Sequence, residues 1–282
     1  MRKFIIIFMV LSAIAADNMA IGAVPRWQTL PPTPTLPAAL RQGYAPVNGI
    51  RIWYAVFGHG APVIMLHGGL ANANYWGLQV PVLARHYRVI VMDSRGHGRS
   101  SRDERPYSYN LMADDVIGLM DFLKFHKAAI VGWSDGGIIG LDLTMRYPSR
   151  ISKVFAFAAN INPNGLVDGV EKTPTFSAYI ARAGREYAKL SPTPKRYTEF
   201  LGAINQMWET QPNYTAEQLA TIRVPVLIVD ADHDEAVKRQ HTEAIAAEIP
   251  GAGLLIQPNV SHFSFLQDST QFTEDIMNFL AR

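Results

Sequence analysis

From residue 50 onward the chain alternates short apolar runs with longer stretches in which apolar positions return every three or four residues. The short runs, over 50–57, 62–66, 88–92, 128–131, 153–158, 224–229 and 253–257, predict strands. Several are apolar at nearly every position rather than every second one, the pattern of parallel strands buried on both faces. The longer stretches predict helices. Over 112–125, Val116, Leu119, Met120 and Leu123 share one face while Asp114, Asp115 and Lys124 lie elsewhere. Further helices are expected over 138–145 and 272–280. Strand and helix in alternation give an α/β fold: a doubly wound, mostly parallel sheet with helices on both faces.

The alternation stops between residues 160 and 222. No convincing strand occurs there, and helical stretches over 176–190 and 195–207 are separated by Pro192 and Pro194. This interval predicts a helical insertion, a lid over the end of the sheet. A second departure lies upstream, where Pro25, Pro31, Pro32, Pro34 and Pro37 disfavour helix and strand pairing. Residues 23–42 are therefore expected as an extended tether, and the folded domain as 43–282 with its lid inside it. The first 22 residues carry Arg2 and Lys3, an apolar run over 4–16, and small residues at Ala13, Ala15 and Ala16. That run is shorter than the roughly 20 residues of a spanning helix. It predicts a secretory signal cut between Ala15 and Ala23, hence a secreted or periplasmic protein without a stable membrane anchor.

Composition narrows the function classes. With 48% hydrophobic and 18% charged residues the chain has the balance of a folded protein. The formal charge is +2, and +1 once residues 1–22 are removed, with no dense Lys/Arg run, so no nucleic-acid partner is expected. The partner is a small-molecule substrate. The absence of cysteine rules out disulfides, thiolate catalysis and Cys-ligated zinc.

The chemistry gathers around Gly132, Trp133, Ser134, Asp135, Gly136 and Gly137, which follow one predicted strand and open a predicted helix. This is a GxSxG pentapeptide in a strand, turn and helix setting. The turn is too tight for side chains two positions either side of the serine, which explains Gly132 and Gly136. Ser134 is the candidate nucleophile, and the backbone N–H of Asp135 a candidate oxyanion donor at the helix start. Upstream, His67, Gly68 and Gly69 end the strand over 62–66. Gly69 is the preferred second oxyanion donor and Leu70 the alternative, with His67 shaping the loop.

Among eight histidines, His262 alone lies between the last strand and the C-terminal helix, where the chain order nucleophile, acid, base puts the base. The acid should follow the penultimate strand, where Asp230, Asp232 and Asp234 crowd together. Asp234, furthest out, is preferred over Asp232. Its work is to hold the imidazole tautomer and stabilise the imidazolium. Trp133, Leu70 and Trp76 are candidates for an apolar substrate wall, with core packing as the competing role.

With these motifs in order, residues 43–282 resemble the α/β-hydrolase superfamily. His67–Gly69 is similar to the family's oxyanion loop, DSRGHGRS over 93–100 to its structural turn, and GWSDGG to its nucleophile elbow. The segment ADHD over 231–234 resembles the family's GxxD, with Ala231 in place of glycine. The elbow is similar to that of valacyclovir hydrolase-like and bacterial esterase-like members. The resemblance implies a serine esterase working through an acyl-enzyme, with no cofactor or metal. It also implies a role for Asp135 toward amino-bearing substrates. Lactonase, amidase or aminopeptidase, and C–C hydrolase are alternatives on the same triad. A non-catalytic ligand-binding member is the alternative of another class.

Overall fold

The computed structural model describes residues 24–282. The expected secretory signal over 1–22 lies outside the described residues. The strands are β1 (Arg41–Val47), β2 (Ile50–Phe57), β3 (Pro62–Leu66), β4 (Arg88–Met92), β5 (Ala128–Trp133), β6 (Ile151–Phe157), β7 (Val226–Ala231) and β8 (Gly253–Gln257). The helices are α1 (Val80–Leu83), α2 (Tyr109–Phe122), α3 (Asp135–Arg146), α4 (Pro174–Leu190), α5 (Tyr197–Thr210), α6 (Ala216–Leu219), α7 (Arg239–Glu248), α8 (Ser264–Gln267) and α9 (Ser269–Ala281). All the strands form one sheet in the order β1-β2-β4-β3-β5-β6-β7-β8. β1 and β2 pair antiparallel with each other, and β2 antiparallel with β4; every other neighbour is parallel.

Both faces of the sheet are covered, and successive side chains feed opposite cores. Ile52, Tyr54, Ile64, Leu66, Ile90 and Met92 enter the core shared with α2 and α3. Their neighbours Trp53, Ala55, Val63, Met65, Val89 and Val91 enter the core shared with Phe265 of α8 and Phe272 of α9. This two-sided burial is why the central strands read as continuous apolar runs. Among the described residues, no helix is long and apolar enough to cross a membrane.

Sequence and structure differ in instructive places. β1 is an edge strand interrupted by Gly43 and Pro46, which hides its period, yet Asn48 and Gly49 both take positive φ and close a hairpin onto β2. β7 starts after Pro225, which has no N–H to give, and runs on to Ala231, so Asp230 belongs to the strand. α2 begins earlier than its apolar period because Ser108 caps it, accepting the Leu111 N–H at 3.1 Å.

The segment over 160–222 is helical, through α4, α5 and α6; its one strand-like pairing is the isolated bridge Leu166 to Val237. α4 buries Tyr179, Ala183 and Tyr187, and α5 buries Phe200, Ile204 and Met207, each at helical spacing. Of the expected extended tether over 23–42, Arg26–Gln28 form a 3-10 turn and Arg41 and Gln42 already pair in β1; the residues between are extended but do not hang free. Arg182 of α4 donates to the carbonyls of Pro31 and Leu30 at 2.6 and 2.9 Å, Thr33 donates to Glu186 at 2.5 Å, and Trp27 stacks on His233. Extended proline backbone leaves its carbonyls free for such contacts. A buried ion pair, Arg95 to Asp115 at 2.7 and 2.9 Å, ties the loop after β4 to α2.

Candidate active site

The turn between β5 and α3 is fixed by backbone contacts. Ser134 has φ 53° and ψ −117°, a conformation that a non-glycine residue keeps only when its surroundings impose it. A Cβ on Gly132 would lie 2.2 Å from the Gly136 carbonyl oxygen, and one on Gly136 would lie 2.1 Å from the Leu66 carbonyl oxygen. The Ser134 N–H donates to Phe157 of β6 at 2.8 Å, so the neighbouring strand holds the strained residue. α3 then starts at Asp135, with the Gly137 and Ile138 N–H groups donating back to the Ser134 carbonyl at 2.8 and 3.0 Å, and Asp135 lines the cavity above the sheet.

The loop after β3 is braced by His67. The amide of Ser94 donates to His67 Nε2 at 3.0 Å, which leaves Nδ1 to donate to the Gly68 carbonyl at 2.7 Å. Burial lowers the His67 pKa, and burial with His67 nearby pushes His97 down to about 3. Both are neutral structural groups. Gly69 reaches the cavity, where a side chain has no room: its Cβ would meet Trp208 at 2.2 Å and the Asp135 carboxylate at 2.8 Å.

His262 sits in the loop between β8 and α8, and its Nδ1 faces Asp234 Oδ2 at 2.8 Å. The other Asp234 oxygen accepts the N–H groups of Ala236 and Val237 at 2.7 and 2.8 Å, so the carboxylate is oriented from both ends. Burial works to raise the Asp234 pKa, but the charge and hydrogen bond of His262 and these two amides hold it below its ordinary value. Burial works to lower the His262 pKa, but Asp234, Glu235 and Asp230 raise it overall. Asp232 points elsewhere and accepts the N–H groups of Asn259 and Val260 at 2.9 and 3.3 Å, stapling the loop that carries His262.

Gly69, Trp133, Ser134, Asp135 and His262 line one cavity of about 600 Å³, its open mouth included. The lid supplies its roof through Leu166, Val170, Phe176, Tyr179 and Trp208. Two sequence candidates are not on this wall. Trp76 is 0% exposed and packs on Phe265 and Phe272 at ring separations of 5.3 and 6.3 Å. Leu70 takes φ 64°, which turns the chain after Gly69 and puts its side chain in the core. Their size, which suggested a substrate wall, serves packing.

Sequence reasoning missed Tyr109 and Trp208. Tyr109 donates to Asp135 Oδ1 at 2.9 Å and the Trp208 indole to the same carboxylate at 3.0 Å. Burial lifts the Asp135 pKa to about 6 despite these donors. Neither residue lies in a motif; only the amphipathic period of α5 hinted that Trp208 turns inward. Among the described residues, no group of three or more His, Asp or Glu side chains is arranged to hold a metal ion.

The alpha/beta hydrolase fold family model matches residues 61–210, which include the elbow, the loop after β3 and much of the helical segment over 160–222. The chain belongs to the α/β-hydrolase superfamily. It is 26% identical over 262 residues to the mouse serine hydrolase BPHL, covering 88% of this chain and 89% of that one. It is 28% identical over 257 residues to a putative carbamate hydrolase RutD of Caulobacter, covering 79% and 94%. Its fold is like that of the enol-lactonase of Burkholderia xenovorans, with a TM-score of 0.70, 24% identity, and coverage of 85% of this chain and all of that one. This α/β hydrolase is therefore a hydrolase by family.

Proposed function

We propose that this hydrolase cleaves carboxylic esters of small, largely apolar substrates through an acyl-enzyme on Ser134. The observation that carries the reading is the His262 to Asp234 hydrogen bond of 2.8 Å beside the cavity into which the strained Ser134 opens. In this reading His262 takes the Ser134 proton as the hydroxyl oxygen attacks the ester carbonyl. The backbone N–H groups of Gly69 and Asp135 stabilise the tetrahedral oxyanion. His262 then protonates the leaving alcohol, and water, deprotonated by the same imidazole, releases the acid. Asp234 keeps the imidazole in the required tautomer and offsets its charge. Leu166, Val170 and Phe176 on the roof support an apolar substrate. The reading extends to a secreted or periplasmic enzyme, on the sequence of residues 1–22 alone.

A second reading rests on Asp135, which lines the cavity and whose carboxyl burial lifts to about 6 while Tyr109 and Trp208 donate to it. It would pair with an ammonium group on the substrate. Hydrolysis of p-nitrophenyl esters of increasing chain length, with an aminoacyl ester and a lactone alongside, tests both. Ser134→Ala should remove the activity while leaving the circular dichroism spectrum unchanged. An aminoacyl ester preferred over its des-amino analogue, with the preference lost in Asp135→Asn, would favour the second reading. Activity retained in folded Ser134→Ala would refute both.

A further inference from the structure

The contacts of the proline-rich segment before β1 gather around the two loops that carry the proposed acid and base. Trp27 stacks on His233, the neighbour of Asp234, with ring centroids 4.2 Å apart. Arg26 pairs with Asp268, which caps α9. Between these two contacts the Gln267 carboxamide reaches the backbone of the segment, its Nε2 donating to the Thr29 carbonyl at 2.8 Å. Further along, Arg182 and Glu186 of lid helix α4 hold Leu30, Pro31 and Thr33. The other Glu186 oxygen accepts from Asn72, in the loop after β3, at 2.9 Å. Residues 26–33 thus form a strap that touches the acid loop, the base loop and the lid.

Gln267 does more than anchor the strap. The same Nε2 donates to Ser261 Oγ at 3.0 Å, and Oε1 accepts the Ser261 N–H at 2.7 Å. A carbonyl can only accept and an N–H can only donate, so the Thr29 carbonyl and the Ser261 N–H together fix which way the amide faces. Ser261 is 0% exposed and directly precedes His262. The N–H of His262 itself donates to the Glu235 carboxylate at 3.2 Å. The backbone that sets where the imidazole stands is therefore held by Gln267 at one residue and by Glu235 at the next. A buried N–H that loses its acceptor drives the backbone to find another, so loss of the Gln267 amide displaces the residue before His262.

We propose that Gln267 is a positioning residue for His262 and that the strap completes it. The Thr29 carbonyl locks the Gln267 amide, and the grip of α4 on residues 30–33 links that lock to the lid. This inference rests on the reading of His262 as the base. Phe176 and Tyr179, on the same helix α4, line the cavity, so one framework sets both the roof over the substrate and the base beside it. A segment that reads as a tether is in this way part of the active-site scaffold.

The test has two arms. The first compares p-nitrophenyl ester hydrolysis by wild type, by Gln267→Leu, by a strap variant carrying Trp27→Ala and Arg182→Met, and by all three substitutions together. In Gln267→Leu, kcat should fall about tenfold with KM within about twofold of wild type, the signature of a displaced base rather than of lost substrate binding. The strap variant should lose kcat in the same sense. The combined variant should lose no more than Gln267→Leu alone, because both sets of changes cut one linkage. Losses that multiply, or either parent variant at wild-type kcat, overturn the proposal. Should Gln267→Leu not fold, Gln267→Glu takes its place with the same expected loss, read on the alkaline plateau of the profile. It keeps the acceptor for Ser261 and loses the donor to Thr29.

The second arm needs no substrate. Backbone hydrogen exchange in peptides covering residues 258–263 should be severalfold faster in the folded strap variant than in wild type, although both of its substitutions lie outside that loop. Unchanged exchange there overturns the proposal. Hydrolysis absent in wild type with the faster exchange present would strike the esterase reading alone.

Discussion

Two glycines, one in the elbow and one on a lid helix, show how differently these parts are built. At Gly136, in the elbow, a Cβ would lie 2.1 Å from the Leu66 carbonyl oxygen; at Gly202, on lid helix α5, nothing lies within 4 Å. The elbow is held by backbone against backbone, which cannot yield by a rotamer change. The lid is held by amphipathic faces such as Phe200, Ile204 and Met207, where side chains share the load. Substitutions in the elbow should therefore act in an all-or-none way and those in the lid by degrees.

The sharpest break of that contrast would be a tolerant elbow. Gly136→Ala should give no correctly folded, active protein, read by circular dichroism together with ester hydrolysis; a soluble variant at wild-type activity would show that the β3 backbone can move aside. Next in size, Asp234→Asn should lower kcat about 10⁴-fold by favouring the wrong imidazole tautomer. Asp232→Asn loses only loop hydrogen bonds, and its kcat should stay within about tenfold of wild type. Reversal of these two in steady-state kinetics would exchange the roles of the carboxylates.

Smaller effects belong to the lid. Trp208→Phe deletes a donor to Asp135 while keeping an aromatic roof, and kcat/KM should fall about tenfold, as for one hydrogen bond to a charged group. An unchanged profile would mean that Tyr109 alone suffices for that carboxylate. Smallest is Gly202→Ala, which should stabilise the fold by about 0.5–1 kcal/mol in urea unfolding, since a helix interior favours alanine and the space is open. Destabilisation there would show that α5 needs its glycine for lid motion or for a contact made only when substrate is bound.

Much of this was legible in the chain. Strand and helix alternation follows from periodicity, because a helix and a pleated strand repeat their faces at different intervals. Ser134 and its flanking glycines were legible because a steric requirement at a fixed spacing leaves only one residue type. His262 was legible from chain order. Asp234 over Asp232 was a preference until the turn after β7 showed one carboxylate on the imidazole and the other on the Asn259 and Val260 amides. Trp76 and Leu70 were misplaced because bulk and apolarity are the same in a core and in a substrate wall; only the direction of the side chain separates them, and direction is set by neighbours far away in sequence.

The sequence by itself determined the α/β fold class, the tight elbow that carries Ser134, the loop that begins at His67, and the helical character of residues 160–222. Those features depend on local sterics and on hydrophobic period, which are written in consecutive residues. Tertiary structure alone decided that Tyr109 and Trp208 meet on Asp135, that the proline-rich segment grips Arg182 and Glu186, and that Asp232 holds the Asn259 and Val260 amides. Each joins polar groups contributed by separate elements or by a reversing turn. Which of them meet depends on how the elements pack, and no local pattern in the chain encodes that.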